Sequence, residues 1–219
     1  MEVPDKILKY YLRNVYFFCG TACGGKTTIS RAFANMRGIP WVSEERANAV
    51  MGEAANPEDH PAWRSRPNDW ETYFNRPYRE YWEWLEDCAR ESLPVGLLEL
   101  AIASRGEAIA ADVYNLRPSD ALRWTEPRRV VYLAADPRRV ARDYFDRSDH
   151  RDILECIRGL KDPEAARANC ERMLEYGNAL LLDEIRGSGL FYIMRDDEST
   201  VEATLALVEG HFGLGDGRE

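Results

Sequence analysis

Residues 15–34 read VYFFCGTACGGKTTISRAFA: an apolar run breaks into glycines and delivers Lys26, Thr27 and Thr28 ahead of a helical segment. Residues 20–27 satisfy the spacing G-x-x-x-x-G-K-[ST] through Gly20, Gly25, Lys26 and Thr27, and Gly24 adds another glycine. In that spacing, glycines let successive backbone N–H groups turn inward around an anion at the positive end of a helix. The Lys26 ammonium is placed to bridge outer phosphates. The Thr27 hydroxyl is placed to serve Mg²⁺, whose remaining shell comes from phosphates and water. A strand before the loop and a helix after it supply the context the motif requires. Gly20, Thr21, Ala22, Cys23, Gly24, Gly25, Lys26, Thr27 and Thr28 are therefore expected to cradle a nucleoside triphosphate.

Five apolar runs read as strands: 15–19, 39–43, 108–112, 129–135 and 190–194. They are unbroken rather than alternating, the pattern of strands covered on both faces in a parallel sheet. Helical patterns lie between them. One follows the glycine loop and stops at Gly38. A long one spans about 77–104, where Pro94 marks a kink or a break. Asp136-Pro137 reads as a cap and first-turn proline, and further helices cover about 151–186 and the segment from Ser199 onward. Strands alternating with helices predict a doubly wound α/β fold of the P-loop NTPase type. Its five-stranded, mainly parallel sheet would carry helices on both faces. We read the 219 residues as one domain. The polar, proline-bearing and aromatic stretch 52–76 is too long for an ordinary connection. Together with the helix after it, it forms an excursion (52–105) between the second and third strands, expected on the acceptor side of a ligand crevice.

Composition excludes several classes. No apolar run approaches the roughly 20 residues of a membrane helix, and the N-terminus lacks the pattern of a signal peptide; a cytoplasmic protein is expected. A formal charge of −9 argues against sequence-independent nucleic-acid binding. Five scattered cysteines without a C-x-x-C pair suggest neither disulfides nor zinc. There is no N-K-x-D or D-x-x-G motif of a regulatory GTPase and no L-S-G-G-Q stretch.

Strand ends carry the remaining chemistry. Asp112 closes the third strand, where a carboxylate can hold a water on Mg²⁺ or orient an acceptor hydroxyl. Glu44 and Glu45 follow the second strand. Only one of them can point inward as a general base, and Glu44 is preferred. Among the aromatics of the excursion, Tyr78, Tyr81, Trp82 and Leu85 read as a helical core stripe, whereas Trp63 and Trp70 are candidates to stack on a planar acceptor. His150 is given no metal role.

With these residues in place, the sequence resembles the P-loop small-molecule kinases, the group that includes adenylate, cytidylate, shikimate and deoxynucleoside kinases. The resemblance covers most of the chain outside 52–105. It rests on the loop, on the acidic end of WVSEE, on YLAADPRRVARDYFDRSDHRD, which is similar to a phosphate-covering lid (137–152), and on YIMRDDES, similar to an adenine-side loop. It implies ATP- and Mg²⁺-dependent phosphoryl transfer to a small acceptor, nucleosides and nucleotides among the options. Lys26, Glu44, Asp112, Arg142 and Arg147 would be catalytic, Arg151 would contact the donor, and Thr27 with Asp112 would serve the metal. The alternative reading is a nucleotide-binding ATPase or regulatory module without an acceptor.

Overall fold

In a computed structural model, the structure describes residues 3–146 and 150–215. Five strands, β1 (Val15–Gly20), β2 (Trp41–Ser43), β3 (Ile109–Asp112), β4 (Val130–Ala135) and β5 (Tyr192–Arg195), form one sheet. Their order is β2-β3-β1-β4-β5 and every pairing is parallel. The chain leaves β1 toward β2 on one side and later reaches β4 on the other. The carboxyl end of β1 therefore sits where the winding reverses, the place where sheets of this type bind ligands.

Helices cover both faces. On one, Phe18 of β1 and Val131 of β4 pack against Ile29 and Phe33 of α2 (Lys26–Arg37) and Val208 and Phe212 of the C-terminal helix (Val201–Phe212). On the other, Phe17, Ile109 and Val130 meet Leu93 and Leu97 of a long helix (Tyr78–Ala103) and Leu181 and Ile185 of a second one (Pro163–Ser188). Neighbouring residues of β1 thus serve opposite cores, which is why its sequence shows no polar alternation.

The connections complete the helix count as follows: α1 (Asp5–Tyr11), α2, α3 (Glu45–Ala54), α4 (Pro61–Arg64), α5 (Trp70–Phe74), α6 (Tyr78–Ala103), α7 (Pro118–Trp124), α8 (Pro137–Asp143), α9 (Arg151–Arg158), α10 (Pro163–Ser188) and α11 (Val201–Phe212). Asp136 caps α8 as expected, its side chain accepting from the amides of Arg138 and Arg139. Pro94 neither ends nor splits α6, which runs 26 residues through it. The proline removes a single donor, the one that would reach the carbonyl four residues back, and Leu93 and Leu97 hold that turn against the sheet. Helices α1 and α3 were not foreseen. The first is fixed by Asp5, which accepts from the Trp124 indole at 2.8 Å.

The excursion is tied down at several points. The Glu91 carboxylate accepts the amides of Ala62 and Trp63, both at 2.8 Å, and the Trp84 indole donates to the Ala62 carbonyl at 2.9 Å. Phe74, Tyr81 and Trp84 join Phe145, Ile157 and Met173 in a separate apolar cluster. Where α6 crosses α10, the ring of Trp82 lies against the backbone of Gly177: a Cβ there would fall 2.0 Å from the ring. Gly177→Ala must push Trp82 off α10 and should cost about 1–3 kcal/mol, measured as a lower denaturant midpoint at unchanged m-value.

Candidate active site

The loop from Gly20 to Thr28 is held by its neighbours. Gly20 pairs with Leu133 of β4, and its backbone adopts φ +123 with no room for a side chain, since a Cβ would lie 2.1 Å from the Leu133 carbonyl oxygen. Thr21 is fully buried; its amide donates to the Leu133 carbonyl at 3.1 Å and its hydroxyl accepts from the Ala135 amide at 2.9 Å. The Ala22 amide donates to Asn178 Oδ1 at 2.9 Å. Thr21 and Ala22, expected at the phosphates, are thus engaged by protein. Cys23 has φ +53, the only positive value at a non-glycine among the described residues, a strained conformation of the kind that gathers at binding loops. The amides of Gly25, Lys26, Thr27 and Thr28 take no protein acceptor among the described residues. They form the open, positive end of α2.

Lys26 Nζ turns back over the loop to donate to the Thr21 carbonyl at 2.8 Å. The Thr27 hydroxyl donates to Asp112 Oδ2 at 2.5 Å, and Asp112 is 6% exposed. The two residues expected to serve a metal are therefore in direct contact. Among the described residues no group of three or more His, Cys, Asp or Glu side chains could hold an ion by itself. One hydroxyl and one carboxylate beside a phosphate loop suit Mg²⁺, which keeps water and takes substrate phosphates for most of its shell.

Strand register brings Glu44 to the same place. Ser43 lies opposite Asp112, so the residue that follows leaves the sheet beside that carboxylate. Glu44 is half-buried while Glu45 is exposed, so Glu44 is the one of the pair turned toward the protein. Burial, then the charge of Asp112, push the Glu44 carboxyl up to about 7, opposed by Lys26 and by a hydrogen bond from the Tyr114 amide. Apart from Lys26, the charged groups acting on it are acidic, Asp112 and Glu45.

A cleft of about 870 Å³ opens from Gly20, Ala22 and Lys26. One wall is a face of α6 (Trp82, Leu85, Glu86, Ala89, Leu93) and the other a face of α10 (Leu174, Asn178, Leu181, Glu184). Trp63 and Arg66 line it too, the guanidinium 5.0 Å from the ring centre. Arg117 bridges the two walls, paired with Glu86 and, at 3.3 Å, with Glu184. Trp82, read as core, reaches this cleft as well as α10. Trp70 does not; it is exposed and packs on Tyr73 and Phe74.

The lid arginines are not gathered at the loop. Arg142 is exposed and paired with Asp143, Arg151 is exposed at the start of α9, and Arg147 lies outside the described residues. His150 bonds to the Tyr144 carbonyl at 2.7 Å. Two arginines that the sequence reading passed over stand closer. Arg195, closing β5, lays its guanidinium over Gly25, with Nη1 where a Cβ of Gly25 would be. It donates to the Ser199 carbonyl at 3.1 Å. Arg139 reaches the Arg195 carbonyl at 3.5 Å and pairs with Asp143 and Asp197. A charged residue ending an apolar strand was the available signal for Arg195, the same signal that marked Asp112.

No family model matches the sequence, and no curated protein does either. Among solved structures the chain is similar to shikimate kinase from Acinetobacter baumannii in complex with shikimate, at 16% identity, 97% of this chain, 99% of that one and a TM-score of 0.48. It is also similar to dephospho-CoA kinase from Campylobacter jejuni, at 15% identity, 92% of this chain, 95% of that one and a TM-score of 0.40. Likenesses at this level leave the acceptor open. Among the described residues no helix is long and apolar enough to cross a membrane.

Proposed function

We propose that the chain is a kinase that moves the γ-phosphoryl group of a nucleoside triphosphate, ATP in our reading, to a hydroxyl of a small molecule seated between α6 and α10. One observation carries this reading: the Thr27 hydroxyl meets Asp112, Glu44 stands beside that carboxylate in a small cavity that shares Asn48, Leu93, Tyr114 and Asn115 with the cleft, and Lys26 lines the cleft itself beside the open amides of α2. The amides and Lys26 hold the donor phosphates and meet the charge that spreads over the equatorial oxygens during transfer. Thr27 and Asp112 would hold Mg²⁺, which would supply positive charge to offset the phosphates. Glu44 takes the proton of the acceptor hydroxyl as that oxygen bonds to phosphorus. The bond from phosphorus to the β-phosphate bridging oxygen breaks, and the nucleoside diphosphate leaves.

The charged groups acting on Glu44 are acidic apart from Lys26, while Arg66 lines the acceptor cleft and can offset the charge of a phosphate there, so free hydroxyl compounds and their phosphate esters are both to be tested. Arg195 lies over Gly25 of the loop, on the donor side, and suits the nucleotide; Arg139 contacts the Arg195 carbonyl from α8.

The test is diphosphate release with Mg²⁺ and a panel of nucleosides, sugars and amino alcohols, run beside their phosphate esters. Stimulation by a hydroxyl compound supports transfer; an acceptor-independent rate across the whole panel contradicts it. Asp112→Asn should raise the Mg²⁺ concentration for half-maximal turnover by roughly 10–100-fold, read from a magnesium titration at saturating nucleotide.

A further inference from the structure

Asn178 sits buried, 3% exposed, in the middle of α10, where the other inward side chains are Leu174, Leu181, Leu182 and Ile185. An amide in such a place is costly unless both ends are bonded. Here they are. Nδ2 donates to the Leu174 carbonyl at 2.7 Å, which fixes the rotamer and aims Oδ1 at the glycine loop, where it accepts the Ala22 amide at 2.9 Å. With Thr21 bonded twice to β4, the first turn of the loop is anchored on two elements. The amides of Gly25 to Thr28 stay open for an anion. The same helix lines the cleft through Leu174 and Leu181 and seats Trp82 on the adjacent Gly177.

We infer that Asn178 is a positioning residue for the donor: through the Ala22 amide it holds the loop in its phosphate-ready shape from the helix that walls the acceptor cleft. Without that bond the loop must be ordered by the nucleotide, and the ordering is subtracted from its affinity. The inference rests on the nucleotide-binding reading of the loop, and two measurements keep the two apart.

Binding of ADP with Mg²⁺ to the wild-type chain tests the loop itself. Asn178→Ala should weaken it about tenfold. Hydrogen exchange at residues 20–25 tests the tether with no nucleotide present. The Ala22 amide should exchange faster in Asn178→Ala while β1 and the rest of α10 keep their protection. Asn178→Leu, which keeps the bulk but offers no acceptor to that amide, should exchange as fast as Asn178→Ala. Unchanged loop exchange in Asn178→Ala, faster exchange spread over β1 and α10, or accelerated loop exchange with wild-type ADP affinity would each overturn the inference. A wild-type chain that fails to bind ADP refutes the nucleotide reading, and loop exchange then decides the tether alone.

Discussion

Glu44→Gln should lower the acceptor-dependent rate by about 10²–10⁴-fold, the usual contribution of a positioned general base, while leaving nucleotide affinity within about threefold of wild type, since an uncharged amide replaces a half-ionised carboxyl near the phosphates. The pH profile distinguishes this from a packing defect. With its carboxyl pushed up to about 7, Glu44 is half protonated near neutrality. The wild-type rate should then fall tenfold per pH unit below 7 and level off above it. In Glu44→Gln that inflection disappears. Stability moves the other way. Ionising Glu44 inside the fold is opposed by burial, so the protonated form is the one the fold favours. That contribution is fully present below the ordinary value of 4.5 and is lost as pH rises through about 7. Glu44→Gln should therefore melt above wild type at pH 8 and close to it at pH 4. A variant that is slow at every pH, melts lower at pH 8 and retains the inflection contradicts the assignment.

Lys26→Ala should cut turnover by roughly 10²–10³-fold, the cost of removing one preorganised group from the developing charge, and weaken triphosphate more than diphosphate because the ammonium serves the outer phosphates. The fold loses a single hydrogen bond, to the Thr21 carbonyl, so the variant should remain folded by circular dichroism. Lys26→Arg should not restore the rate. A planar guanidinium is not a compact point charge and cannot reproduce the contact of Nζ with the Thr21 carbonyl and the outer phosphates. Equal binding of di- and triphosphate to wild type and Lys26→Ala would remove Lys26 from the site.

The glycine loop was legible because its requirements are local. Gly20 must lie against the Leu133 carbonyl with a left-handed backbone, and such needs leave a fixed spacing in the sequence. The strands were legible to within two residues at each end; burial on both faces erases alternation in β1, β3 and β4, whereas β5, expected to be covered on both faces, exposes Tyr192 and Met194 at the sheet edge. The sequence favours Glu44 over Glu45 only slightly; Ser43 opposite Asp112 brings Glu44 out of the sheet beside that carboxylate, and register is a long-range property. The lid arginines show the reverse failure. Arg142 stands at a plausible distance after β4, yet its helix turns it to solvent and to Asp143. Arg195 could gain its place over Gly25 only through the pairing of β4 with β5. The excursion read as polar and loose because the interactions that order it, Glu91 with the amides of Ala62 and Trp63, join residues almost thirty positions apart. Pro94 misled for a related reason: tertiary packing on α6 outweighs one missing donor.

The proposed reaction moves phosphate from the nucleotide to a hydroxyl of a molecule held between α6 and α10. It is tested most directly by incubating the wild-type chain with γ-phosphate-labelled ATP, Mg²⁺ and a pooled set of hydroxyl compounds, then separating the products. Label is expected in an organic phosphate monoester, reduced at least about a hundredfold in Glu44→Gln. Label found only in inorganic phosphate, at a rate the pool does not change, would contradict it.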